Sequence, residues 1–241
     1  MHKYSEQLID VTDINLKSGG NAVIPMEFEL LFARLQRGVN QAQCNLQTFV
    51  FESHHDAFLR AASSLKQHTS TKARVEFLVS LAPINSDDVL CRVFEYAKEL
   101  FAGVVEFRHL IAHSIWLSSD IYPSRLIVSE LANEAKLLLA KARVNSDPEM
   151  TTKQTYESIV RYISELHIIS IEGLAQAVDS VDIVNVCVMQ VSQALRSKSE
   201  AAEEIKRGFK VFRGISHLFP PDELSVEPVN QNLNSSNTIY R

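Results

Sequence analysis

The stretch Asp88–Trp116, DVLCRVFEYAKELFAGVVEFRHLIAHSIW, decides how this chain is read. Leu90, Phe94, Ala97, Phe101, Val104, Ile111 and Ile115 recur on one stripe, which is the period of an amphipathic helix. Ser86-Asp87-Asp88 supplies an N-cap and an acidic first turn ahead of it. The stripe then runs into Arg108, His109, His113 and Trp116, the last being the only tryptophan in the chain.

The helical period extends in both directions. From Met26, after Pro25, the positions Phe28, Leu31, Leu35, Val39, Ala42, Leu46 and Phe49 step by threes and fours, with a continuation through Phe58, Ala61, Ala62 and Leu65. Ser70 or Thr71 caps a shorter helix bearing Val75, Leu78 and Leu81, which Pro83 ends. Beyond Pro123 an amphipathic segment covers 124–143, and Asn145-Ser146-Asp147-Pro148 makes a loop before a helix starting at Thr151 or Thr152. Val181 to Val191 is rich in β-branched residues and suits a strand, while Val184, Val188, Val191 and Leu195 suit a helix. A last amphipathic helix spans about Ser199 to His217.

Composition supports a helical fold with a real core. Apolar residues are 46% of the 241, and Gly and Pro number only 7 each, too few for the turns of an all-β fold. The expected class is all-α, a bundle of five to eight helices with room for a minor β-hairpin. Residues 1–25 read as an irregular arm, 26–219 as the helical domain and 220–241 as a disordered polar tail. The net charge of -5 means that any nucleic-acid contact must use a local patch. Cys44, Cys91 and Cys187 are far apart and lack zinc spacing, as suits reduced thiols in a cytoplasmic protein. The N-terminus lacks a signal-peptide pattern and no apolar run approaches spanning length, so no membrane role is expected.

The chemistry lies in the Arg–His cluster. Arg108 falls about 40° from Val104 on a helix, inside the apolar stripe. A charge there needs a carboxylate, a phosphate or a facing subunit, because isolated buried charge is costly. Arg holds phosphate oxygens with a planar fork, and His moves a proton near neutral pH. On one straight helix Arg108 and His113 diverge by about 140°, so convergence requires an unwound helix end near Ser114 or a two-fold axis. The plainer alternative is an Arg108 paired with one of Asp87, Asp88, Glu95, Glu99 or Glu106, two interhelix histidines and a packed Trp116.

The phrase Phe107-Arg108-His109-Leu110-Ile111-Ala112-His113-Ser114-Ile115-Trp116 resembles the HEPN superfamily (higher eukaryote and prokaryote nucleotide-binding). Its members are helical bundles marked by Arg, a polar residue, about three further residues and His. One bacterial branch reads Arg-Asn-x-x-Ala-His-Gly, then an apolar residue and Trp. Here His109 stands for the usual Asn and Ser114 for Gly, while Ala112, His113 and Trp116 agree. Ser70 to Leu78 also looks like that branch's preceding helix, and the likeness in layout covers about 26–180. The resemblance implies a metal-independent endoribonuclease of the stress, defence or toxin kind, with a site built by homodimerisation. Arg108 would hold the scissile phosphate, His113 would act as base or acid on the 2′-OH and leaving oxygen, and His109 would orient the site. RNA is the implied substrate and an antitoxin or other protein an implied partner. The competing expectation is a noncatalytic helical interaction or nucleotide-binding module.

Other groupings are secondary. Lys72 precedes the motif as an RNA-binding candidate, and Lys206, Lys210 and Arg213 recur at helical spacing beside Arg207 and before His217. They read as a phosphate-tracking patch near the site or as the solvated side of an amphipathic helix. His54-His55-Asp56 is a poor chelate, since neighbouring helical side chains diverge. His109 and His113 have chelating spacing without a third ligand nearby in sequence, so no metal or cofactor is expected. Gly-x-Ser-x-Gly, phosphate-binding glycine loops and dinucleotide fingerprints are absent.

Overall fold

The computed structural model describes residues 4–7, 16–18, 22–53, 55–56, 59, 64–82, 87–132, 157 and 166–220. Among them the fold is mostly helical, with one antiparallel sheet. In chain order the strands are β1 Glu6–Gln7, β2 Leu16–Ser18, β3 Ser114–Ser119, β4 Arg125–Glu130 and β5 His167–Ser170. The helices are α1 Met26–Ser53, α2 Thr71–Ser80, α3 Asp88–Ala112, α4 Ile171–Arg196 and α5 Ser199–Val211, with a 3₁₀ turn at Ser216–Leu218.

Local chemistry sets the helix starts. The Ser70 hydroxyl accepts from the Ala73 N–H at 3.1 Å, and the Asp87 carboxylate accepts from Val89 and Leu90 N–H, each at 3.1 Å. Ser170 accepts from the Gly173 N–H at 2.9 Å. Each cap satisfies a donor that the first helical turn leaves unpaired.

Three long helices form the core. α1 and α4 run in the same direction, since Gly38 meets Val181, Asn45 bonds Asn185, and Glu52 pairs with Arg196. α3 runs opposite to α1, with Phe49 against Phe94 at one end and Gln36 on Arg108 at the other. A Cβ at Gly38 would lie 2.6 Å from a Val181 methyl, so the missing side chain permits the close α1–α4 crossing. Asn185 also donates to the carbonyls of Val181 and Gly38, at 3.0 and 3.3 Å.

The mostly helical class expected from sequence holds, but the sheet is larger than expected. Its order is β1-β5-β4-β3-β2 with every pairing antiparallel, more than a minor hairpin added to an all-α bundle. The expected helix over 124–143 begins as β4, because Leu126, Ile127 and Val128 are all buried and a strand covered on both sides accepts a continuous apolar run. Leu131 and Ala132, directly after β4, are helical as expected, and 133–143 lies outside the described residues, as do most of the helix expected from 151 onward and the tail from 221. Ile115 belongs to β3, not to the end of the α3 stripe. The N-terminal stretch expected to be irregular supplies both edge strands. Val181–Val191 is helical, with Val181, Val184, Val188 and Val191 buried on one side of α4.

Among the described residues α4 alone is long and apolar enough to cross a membrane, by length and composition only, and half of its most apolar window is buried. Its buried face instead packs against α1 and α3.

Candidate functional site

The end of α3 builds the site. The helix stops at Ala112, and His113 takes φ -111° and ψ 13° while its N–H still reaches the His109 carbonyl at 3.1 Å. The chain enters β3 at the next residue. Trp116 fixes this exit: its indole N–H donates to the Ile111 carbonyl at 3.0 Å, satisfying an acceptor the helix end leaves unpaired. The Trp116 ring meets Phe32 edge-on at 5.5 Å. Phe32 and Gln36 are one turn apart on α1, so one face of α1 grips both ends of the motif.

Arg108 is half-buried, and its Nε donates to Gln36 Oε1 at 2.8 Å. This neutral amide takes the place of the charged partner expected from sequence. Among the described residues no carboxylate forms an ion pair with Arg108. Several acidic residues ahead of the motif have other partners: Asp87 binds Lys206, Asp88 binds Arg92, Glu95 binds Lys98 and Glu106 binds Lys72. The amide occupies Nε rather than the terminal nitrogens.

His113 keeps its helical hydrogen bond to His109 and packs against that ring, so the end of α3 does not itself turn it toward Arg108. Arg108, His109 and His113 line one open cleft of about 740 Å³ within a single protomer. The N-terminal turn of α2 lines it too, through Ser70, Thr71 and Lys72, as do Ser114 and Glu130. The rings of His109 and His113 lie 4.3 Å apart between centroids. Burial holds the His109 imidazole below its ordinary pKa, aided by the His113 and Arg108 charges and opposed by Glu130. His109 therefore favours its neutral form at neutral pH.

The other RNA-binding candidates divide by position. Lys72 lines the cleft, bonded to Glu106 at 2.6 Å, and that hydrogen bond and charge raise its pKa. Lys206 lies on α5, bound to Asp87 at the start of α3 and to Glu203, with both hydrogen bonds raising its pKa. α3 places Asp87 roughly 30 Å from Arg108 at the helical rise, so Lys206 is not beside the cleft. Lys210 shares α5 and Arg213 follows it, away from the cleft lining. With 19% of its side chain exposed, Lys206 is held in ion pairs rather than solvated, while Lys210 is half-buried beside the buried Phe209 and Arg213 is exposed.

His54 lies outside the described residues, and His55 meets the Phe51 ring edge-on at 4.7 Å. Among the described residues no three His, Cys, Asp or Glu side chains gather as metal ligands. Gln36 and Glu130 are the site residues the sequence does not single out. The only cue for Gln36 is a polar residue beside the α1 stripe, one turn after Phe32. Glu130 enters through β pairing, being opposite Ser114 in the β3–β4 register. The Ser114 hydroxyl oxygen is buried and has no hydrogen-bond partner among the described residues.

Comparison with family models, curated proteins and solved structures gives no match to this chain. The cleft and the motif therefore carry the functional reading.

Proposed function

We propose that this chain is a HEPN-like, metal-independent endoribonuclease of the stress, defence or toxin kind. The observation that carries the reading is the shared cleft: Arg108, held through Nε by Gln36, and His113, at the end of its helix, both line one open space. Arg108 binds the non-bridging oxygens of the scissile phosphate and stabilises the charge that builds there. His113 takes the proton of the ribose 2′-OH. That oxygen attacks phosphorus, the bond to the 5′ oxygen breaks, and the protonated His113 imidazole gives the proton to the leaving oxygen. The products are a 2′,3′-cyclic phosphate and a 5′-hydroxyl. His109, largely neutral, orients His113 at ring-contact distance.

Attack by the 2′-OH restricts the substrate to RNA. The homodimer implied by the resemblance would lengthen the path of the strand, since Arg108 and His113 already line one cleft in a single protomer. An antitoxin or other protein covering this cleft would act as inhibitor. The competing reading is a nucleotide-binding module that does not cleave. The Lys72–Glu106 pair favours it, because it spends a cation of the cleft wall on a carboxylate.

The test is RNA cleavage in excess chelator by the wild-type chain and by His113→Ala, with folding checked by circular dichroism. Loss of cleavage in a folded variant supports the nuclease. Equal cleavage by both defeats the assignment of His113, and binding without cleavage by the wild-type chain favours the module.

A further inference from the structure

We propose that Glu130 reads a nucleobase in this cleft and selects guanine; this rests on the RNA reading of the same site. A carboxylate lining the same cleft as Arg108 works against binding a phosphate, so its position calls for another task. Glu130 is exposed, lines the cleft and makes no ion pair or side-chain hydrogen bond among the described residues. It stands opposite Ser114 in the antiparallel ladder, and such partners have Cα atoms about 5 Å apart. Ser114 directly follows His113, so the carboxylate lies within a nucleotide's reach of the imidazole.

The next residue supplies the platform. Leu131 is 59% exposed and lines the cleft with Ala132, an apolar surface for the face of an unstacked base. An ionised carboxylate only accepts hydrogen bonds, through two oxygens side by side. Guanine offers N1–H and N2–H side by side on its Watson–Crick edge, and both bonds form at once. Adenine and cytosine offer an amino group next to a ring nitrogen acceptor, and that lone pair repels the second carboxylate oxygen. Uracil offers one N–H between two carbonyls, the poorest match. Guanosine is therefore the nucleoside favoured next to the scissile phosphate.

The experiment titrates the full chain with each of the four nucleoside 3′-monophosphates and with inorganic phosphate, following the imidazole signals of His109 and His113 by NMR. The wild-type chain is expected to bind guanosine 3′-monophosphate roughly tenfold more tightly than the uridine compound, the scale of one good bidentate base contact. Glu130→Gln should bring the four nucleotides to within about twofold of each other and tighten inorganic phosphate, because a repelling charge is gone. Glu130→Ala, also on an exposed strand end, should do the same and guards against a fault of the glutamine variant. Equal binding of all four nucleotides by the wild-type chain, lost in Arg108→Ala, overturns base selection and leaves the phosphate reading standing. A guanine preference that survives both Glu130 substitutions also overturns it. No binding of nucleotide or phosphate overturns both.

Discussion

Gln36 Oε1 accepts from Arg108 Nε at 2.8 Å, across 72 residues of sequence. The amide orients the guanidinium without neutralising it. A carboxylate at the same place would form an ion pair and compete with a phosphate ligand. Gln36→Glu is therefore expected to weaken RNA cleavage more than Gln36→Ala, although it keeps a hydrogen-bond acceptor. Single-turnover rates of the two variants check this, and a glutamate variant faster than the alanine one would contradict it.

Arg108 supplies a fork as well as a charge. Arg108→Ala is expected to lower the cleavage rate by about 10²–10³-fold, the scale for losing one preorganised donor group to a developing oxyanion. Arg108→Lys should recover only part of the loss, because an ammonium cannot make the two parallel bonds. Full recovery by lysine would reduce the role of Arg108 to simple attraction.

His109 gives a titration with a defined sign. Its midpoint in the folded chain should lie below the ordinary imidazole value. His113→Ala and Arg108→Ala should each raise it, and Glu130→Gln should lower it further. Between the lowered and ordinary values the unfolded chain binds more protons than the folded one. The His109 contribution to stability is thus full above the ordinary value and declines as pH falls through that window. Imidazole NMR checks the midpoints, and urea unfolding of the wild-type chain and His109→Gln on either side of the window checks the linkage.

The long helices are legible in the sequence because their apolar residues serve one buried side each. Phe28, Leu35, Val39, Ala42, Leu46 and Phe49 on α1 are all buried, as are Leu90, Phe94, Ala97, Phe101, Val104 and Ile111 on α3. The hairpin is harder to read. Leu126-Ile127-Val128 is short and wholly apolar, which fits a strand buried on both faces as well as a turn of helix. Pro123 marks a break after which either a strand or a helix can start. Arg108, His109 and His113 are legible as a cluster, but the cleft they line also needs the start of α2 and the end of β4, which sequence spacing alone does not give. Gln36 and Glu130 carry no local signal, because one enters by a contact between distant helices and the other by strand register.

Gly38 and Val181 give a packing test. An alanine at 38 improves helix propensity by about 1 kcal/mol but meets a stiff β-branched side chain. Overpacking of this kind costs about 1–3 kcal/mol, so Gly38→Ala should be destabilising. Adding Val181→Ala should relieve the clash, giving a favourable coupling of about 0.5–3 kcal/mol in a double-mutant cycle of urea unfolding. Simple additivity would mean that α1 and α4 separate at little cost.

Ser114 gives the opposite sign. Its buried hydroxyl oxygen has no hydrogen-bond partner among the described residues. An unsatisfied buried polar group costs about 1–3 kcal/mol, so Ser114→Ala is expected to stabilise the chain by about 1 kcal/mol. A stability loss of that size in thermal or urea unfolding would show that the hydroxyl has a partner in solution.

The most direct measurement compares Arg108→Ala, His113→Ala and the double variant in single-turnover cleavage of one RNA oligonucleotide in chelator. Groups acting as a unit on one linkage give strongly non-additive losses. The double variant is expected to be no slower than about the worse single variant, with cyclic phosphate ends from the wild-type reaction. Losses that multiply, or single variants as fast as wild type, would contradict a shared site.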